Sequence, residues 1–165
     1  MEKKRYNETP FIPETIRYYS LSPADFIIKD PFTYASDWGL ESLALKNEDA
    51  AFGGRTFYAP LHLPHDSKIY GLKFFYYRDD ALSLMSCALE RVNCSGAPVS
   101  QTLASVISSS TAGNAEQEDT TIDNAVVDNQ NYFYRALCFI GTNDSVDDAY
   151  LKAVVISYLV VKQLP

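Results

Sequence analysis

From Arg55 onward, apolar and polar side chains alternate in short runs broken by turn residues. That is the period-two signature of strands rather than the 3.6 spacing of an amphipathic helix. The pattern predicts strands at Thr56–Ala59, Lys68–Tyr77, Leu82–Val92, Gln101–Ser108, Asn131–Ile140 and Ala149–Val161, with a short one in Thr120–Val127. Arg78-Asp79-Asp80 and Cys94-Ser95-Gly96-Ala97-Pro98 read as turns, and the small, polar stretch Ser108–Asp119 reads as a loop. Leu82–Arg91 has the residues of a helix, but its place between two strand-like runs makes it a strand. Pro60 and Pro64 exclude a central strand through Pro60–Asp66.

The N-terminal part is less regular. Pro10 and Pro13 make residues 1–14 an extended arm that leads into a strand at Thr15-Ile16-Arg17-Tyr18-Tyr19. Ser22-Pro23-Ala24-Asp25 opens one helical turn, because serine caps and proline suits the first helical position. Phe26-Ile27-Ile28 reads as buried, Trp38–Leu45 as a strand, and Gly53-Gly54 as a turn. About eight regularly spaced strands in one chain imply an all-β fold, an antiparallel β-sandwich of jelly-roll type. The expected organisation is the arm, 1–14, followed by one sandwich domain, 15–165.

Several strands are apolar on both sides. Leu72, Phe74 and Tyr76 alternate with Phe75 and Tyr77, and Val154, Ile156 and Tyr158 with Val155 and Leu159. A sandwich strand should wet one face, so such strands need a second cover: the arm, residues 20–54, or another subunit. Tyrosine accounts for 12 of the 165 residues, and it suits half-exposed sheets and interfaces because its ring buries while its hydroxyl stays polar. These features point to a non-enzymatic, self-associating structural or surface protein: a homo-oligomer, a filament, or a virion-decoration type, trimeric or higher. The interface residues would be Ile16, Tyr18, Tyr19, Tyr76 and Tyr77.

Composition removes other classes. A net charge of −7 gives no general pull toward nucleic acid. No apolar run reaches the roughly 20 residues of a membrane helix, so membrane insertion is not expected. Seven glycines and no phosphate-loop motif argue against nucleotide chemistry.

Candidate chemistry is sparse. The two histidines, His62 and His65, flank Pro64, whose turn does not aim both rings at one ion, and they read as loop-packing residues. Asp144, Asp147 and Asp148 put hard oxygens in one acidic loop that calcium would accept, although the EF-hand spacing is missing and a plain acidic turn is the simpler reading. No other cofactor is implied. Asp123-Asn124 and Asp128-Asn129 read as corners around Ala125-Val126-Val127. Cys87, Cys94 and Cys138 are an odd number and read as reduced, mostly buried thiols, with a Cys87–Cys94 bridge as the alternative. Trp38 and exposed tyrosines could stack on sugar rings, so a carbohydrate-binding module, calcium-assisted or not, with a surface glycan as partner, is the second reading.

The order Phe57-Tyr58-Ala59-Pro60-Leu61-His62-Leu63-Pro64-His65, then Ile69-Tyr70-Gly71-Leu72 and an aromatic strand ending at Asp79, resembles a group of uncharacterised bacterial β-sandwich proteins of unknown function. Leu89-Glu90-Arg91-Val92, Leu103-Ala104-Ser105-Val106, and Thr121-Ile122-Asp123 through Val127-Asp128-Asn129 carry the same likeness, which spans Tyr18 to Leu159. Members of that group are usually exported and carry no assigned catalytic residues. The resemblance therefore implies an extracellular or cell-surface setting, although Met1-Glu2-Lys3-Lys4-Arg5 is followed by no apolar stretch and does not read as a signal peptide.

Overall fold

A computed structural model describes residues 15–29, 38–41, 44–47, 53–79, 83–123, 125–142 and 149–160. They form an antiparallel β-sandwich of jelly-roll type with strands β1 (Ile16–Leu21), β2 (Ile27–Ile28), β3 (Trp38–Glu41), β4 (Ala44–Asn47), β5 (Gly53–Leu61), β6 (Lys68–Arg78), β7 (Leu84–Asn93), β8 (Ser100–Ile107), β9 (Gly113–Asp119), β10 (Tyr132–Thr142) and β11 (Ala149–Leu159). Sheet A runs β3-β4-β11-β6-β9, and β1 also pairs with β11, beyond the stretch that β4 occupies. Sheet B runs β2-β5-β10-β7-β8.

Alternation, reset along β6 and along β11, builds the core. On β6, Ile69, Leu72, Phe74 and Tyr76 turn inward, and on β11 so do Leu151, Val154 and Ile156. They meet Phe57, Ala59 and Leu61 of β5, Tyr134, Ala136, Cys138 and Ile140 of β10, and Met85, Cys87 and Leu89 of β7. A bulge between Leu151 and Ala153 resets the register of β11 against β6, so that both ends of the strand keep their apolar residues inside.

Several local expectations change. Ser108–Asp119 is not all loop: Gly113–Asp119 is β9, whose weak intrinsic preference is overridden by a full ladder on β6. Gly53-Gly54 is not a turn but the start of β5, opposite Gly141 and Thr142. Glycine is needed there because the Phe139 ring lies across the strand, and a Cβ at Gly54 would stand 1.8 Å from its Cζ. Trp38–Leu45 divides into the hairpin strands β3 and β4. Among the described residues, Thr120–Val127 contributes an isolated bridge, Val126 to Lys68, rather than a strand. Pro60 is inside β5 after all: β2 covers β5 only at Phe57 and Tyr58, so Pro60 faces a ladder on its β10 side alone. The helical turn at Pro23–Asp25 is a short 3-10 helix, with the Asp25 carboxylate accepting from the Ser22 backbone N–H and hydroxyl.

The Asp128 corner forms as the sequence implies, whereas Asn124, beside Asp123, lies outside the described residues. Asp123 N–H donates to the Leu103 carbonyl, and the Asp128 carboxylate accepts from the backbone of Gln130 and Asn131 and from the Asn131 side chain. His65 packs in this corner, its Nδ1 accepting from Asn129 N–H at 3.1 Å. Asp66, beside it, has a φ of 61°, a left-handed conformation that aspartate tolerates better than most residues.

Outside sheet B, Glu90 and Arg135 face each other across β7 and β10, with Arg135 Nε and Nη2 at 3.0 and 2.8 Å from Glu90 Oε2. Their side chains are only 10% and 25% exposed. Arg135→Leu alone should cost about 2–3 kcal/mol, because it strands a largely buried carboxylate, and adding Glu90→Leu should recover part of that loss. Urea unfolding of the single and double variants checks this; equal stabilities would show the pair to be inert.

Candidate functional site

The face of sheet A turned away from the core gathers polar and aromatic side chains from four strands. The register sets Tyr18 of β1 opposite Ser157 of β11, Ser157 opposite Gly71 of β6, and Val155 opposite Lys73. Lys73 in turn lies opposite Glu118 of β9, and Phe75 opposite Glu116. Side chains in register on adjacent strands share a face, and here they enclose a groove of about 290 Å³ lined by Tyr18, Gly71, Lys73, Phe75, Glu118, Val155 and Ser157. That is near the lower end of the range for small-molecule sites.

Its chemistry is mixed by construction. Gly71 leaves the floor open: a Cβ there would sit 2.8 Å from Ser157 Oγ and 3.5 Å from Glu118 Oε1. Lys73 Nζ bridges Glu116 and Glu118, each at 3.2 Å. Hydrogen bonds to Glu118 first and Glu116 next hold its pKa above the usual lysine value, so it stays a cation. Tyr18, 69% exposed, offers a ring and a hydroxyl at one edge, and half-buried Phe75 offers an apolar plane.

The same face continues along β6 to a second aromatic group. Tyr77 and Tyr150, paired across β6 and β11, have ring centroids 5.8 Å apart, with Lys152 over Tyr77 at 5.6 Å and Lys46 over Tyr150 at 5.9 Å. Lys152 also donates to the Asn114 side chain of β9. From Gly71 to Tyr77 the strand rises about 20 Å, so the face presents an extended track rather than one point.

Two carboxylates outside the groove fix loops. Burial pushes the Asp119 carboxyl up, but hydrogen bonds from the Thr121 hydroxyl and the backbone of Ser105 and Thr121 outweigh it and hold the group below the usual range. Asp128 is held below that range by the Asn131 side chain first and then by backbone donors. Both are more acidic folded than unfolded, so their stabilisation is complete above the unfolded value of about 4 and disappears as pH falls through the lower folded values. Asp119→Asn, which removes the titrating charge, should flatten the loss of stability below about pH 4 seen in acid-dependent urea midpoints. An unchanged slope would show that these hydrogen bonds do not couple to folding.

The residues picked from sequence fare differently. Tyr18 and Tyr77 lie on this face. Ile16 is exposed at the start of β1, and Tyr19 packs against the core opposite Ile156. Tyr76 is fully buried and is corrected from interface to core, because alternation along β6 turns it inward. The backbone of Trp38, at the start of β3, pairs with Asn47 of β4. Asp144, Asp147 and Asp148 lie outside the described residues, and among the described residues no cluster of metal-ligating side chains occurs. Sequence reasoning missed Gly71, Lys73, Glu116, Glu118 and Tyr150. The last four sit on paired strands at positions that only the register, not the sequence, brings together.

No protein-family model and no curated protein matches the chain. Several solved structures align with the chain at low identity. A family 36 carbohydrate-binding module in complex with calcium and xylotriose aligns at 11% identity with a TM-score of 0.49, covering 84% of this chain and 98% of that one. A second family 36 module, from a multidomain xylanase of the Trinervitermes trinervoides hindgut metagenome, gives 8% identity and a TM-score of 0.48 over 85% and 96% of the two chains. A family 29 carbohydrate-binding module from Piromyces equi gives 13% identity and 0.42 over 88% and 91%. The likeness is one of fold.

The expectation of a self-associating structural protein is corrected. Tyr76 is core, β1 pairs in six-residue register with β11 of its own chain, and the second side of β6 is not a bare apolar face but one crossed by Lys73, Glu116 and Glu118. Five of the solved structures that align are carbohydrate-binding modules.

Proposed function

We propose that the chain is a carbohydrate-binding module that takes a glycan along the outer face of sheet A. The observation that carries this reading is the groove over Gly71, where the Phe75 plane and the Tyr18 ring stand beside the Lys73–Glu116–Glu118 cluster. A sugar ring has an apolar C–H face and a rim of hydroxyls. It needs an aromatic plane to stack on, with fixed donors and acceptors within reach, and this groove supplies both. The track onward to Tyr77 and Tyr150 suits a chain of sugars rather than a single one. The role is binding rather than turnover, in an extracellular or cell-surface setting where glycans are met.

The test is affinity electrophoresis and calorimetry of the full chain against a panel of soluble plant and microbial polysaccharides, with calcium and with a chelator. The reading expects retardation by at least one polysaccharide. It also expects that loss on Phe75→Ala is not reproduced by Phe133→Ala, whose 48% exposed ring is on sheet B. Retardation that disappears in chelator would make calcium part of the site. Silence across the panel in both buffers would overturn the reading.

A further inference from the structure

We propose that Cys87 and Cys138 form a cross-strand disulfide that staples the middle of sheet B. Register carries the argument: Cys138 of β10 lies directly opposite Cys87 of β7. Directly opposed residues on antiparallel strands have Cα atoms about 4.5–5.5 Å apart, inside the window of roughly 4.4–6.8 Å that a disulfide spans. Both side chains point inward, each 1% exposed, and their sulfurs approach to 2.7 Å. Cys94, by contrast, is exposed beyond the end of β7. The Cys87–Cys94 bridge considered from the sequence is thereby replaced by a partner 51 residues from Cys87.

Bond formation breaks two S–H bonds and makes one S–S bond. The two protons and two electrons pass to a disulfide oxidant such as glutathione disulfide, which leaves as two thiols. Order follows from burial. Loss of solvation first, and the neighbouring Cys87 thiol next, push the Cys138 thiol well above its ordinary pKa. Cys138 therefore offers little thiolate once folded, and the bridge forms while β7 and β10 are still pairing and open to oxidant. Once the second sheet closes over it, reductant is excluded as well.

Trypsin makes the test direct, because cleavage after Arg78, Arg91, Arg135 and Lys152 puts each cysteine on its own peptide. The full chain is unfolded, reduced, refolded in a mixture of reduced and oxidised glutathione, then denatured and alkylated without reductant. The expected result is a linked pair, residues 79–91 with 136–152, and alkylation or glutathione capping confined to Cys94. In the Cys94→Ser variant, the oxidised protein should weigh two hydrogens less than the reduced form and melt about 10 °C higher, as expected for closure of a loop of this length. Alkylation of Cys87 and Cys138 after oxidative refolding would overturn the proposal, as would a link from either of them to Cys94. The outcome does not depend on whether the chain binds a glycan.

Discussion

Tyr76→Ala should lower the stability of the chain by about 4 kcal/mol, and Tyr76→Phe by about 1–2 kcal/mol. Tyr76 is 0% exposed, and its ring stacks on Phe74 with centroids 4.6 Å apart and planes 17° from parallel. Removing the ring opens a cavity in a region closed on all sides, and such voids relax only partly. The hydroxyl has its own task. It accepts from Ser109 N–H at 2.8 Å and lies 3.1 Å from the Ser109 hydroxyl, holding the loop that leaves β8. Arg78, two residues on and also buried, secures the adjoining position by donating to the Ser108 hydroxyl and the Ser83 carbonyl. Phenylalanine would therefore keep the packing and lose the loop anchor. Urea unfolding of both variants checks the pair of values. A loss below about 1 kcal/mol for the alanine variant would return Tyr76 to the surface.

The second large effect concerns affinity. For the polysaccharide that retards the wild-type chain most, Phe75→Ala should weaken binding by about ten- to a hundredfold, because an aromatic anchor at the centre of a small site carries much of its energy. Gly71→Ala should weaken it by about tenfold through a different cause. The new methyl group would rise from the groove floor between Ser157 and Glu118, and the Ser157 hydroxyl can rotate away from it, so the sheet stays intact. The two variants separate site from scaffold: both should keep a cooperative urea transition while losing affinity. If Gly71→Ala binds as the wild type does, the ligand does not enter this groove.

Most of the strands were legible in the sequence. β6, β10 and β11 alternate large apolar side chains over most of their eleven residues, and no other regular structure buries such a pattern. β9 was missed because Gly113, Asn114, Glu116 and Asp119 have little preference for strands; its conformation comes from a neighbour. The Gly53-Gly54 pair misled for a related reason. Glycine punctuates turns, but here it clears space for Phe139, which is distant in the sequence and adjacent in space. The same logic explains the site. Tyr18 and Tyr77 could be picked out as surface-seeking tyrosines, whereas Lys73, Glu116 and Glu118 read as ordinary solvated charges until pairing of β6 with β9 sets them around one amine. Tyr76 and Tyr77 are chemically identical neighbours, and only knowledge of which face the core occupies separates the buried one from the exposed one.

The place of β11 sets the order in which the molecule can be built. It joins β1, β4 and β6, so sheet A has no middle until the last described strand exists. Sheet B draws only on Ile27 to Thr142 and can begin to pair earlier. A chain emerging from the ribosome can pair β3 with β4 and β6 with β9, but those two pairs and β1 stay unjoined until Ala149–Leu159 has been made. Their greasy inner residues are exposed to misassociation during that interval. Closure then requires Ile16 to find Leu159 across nearly the whole polypeptide, a slow search that places folding in the millisecond-to-second regime of non-local β-proteins.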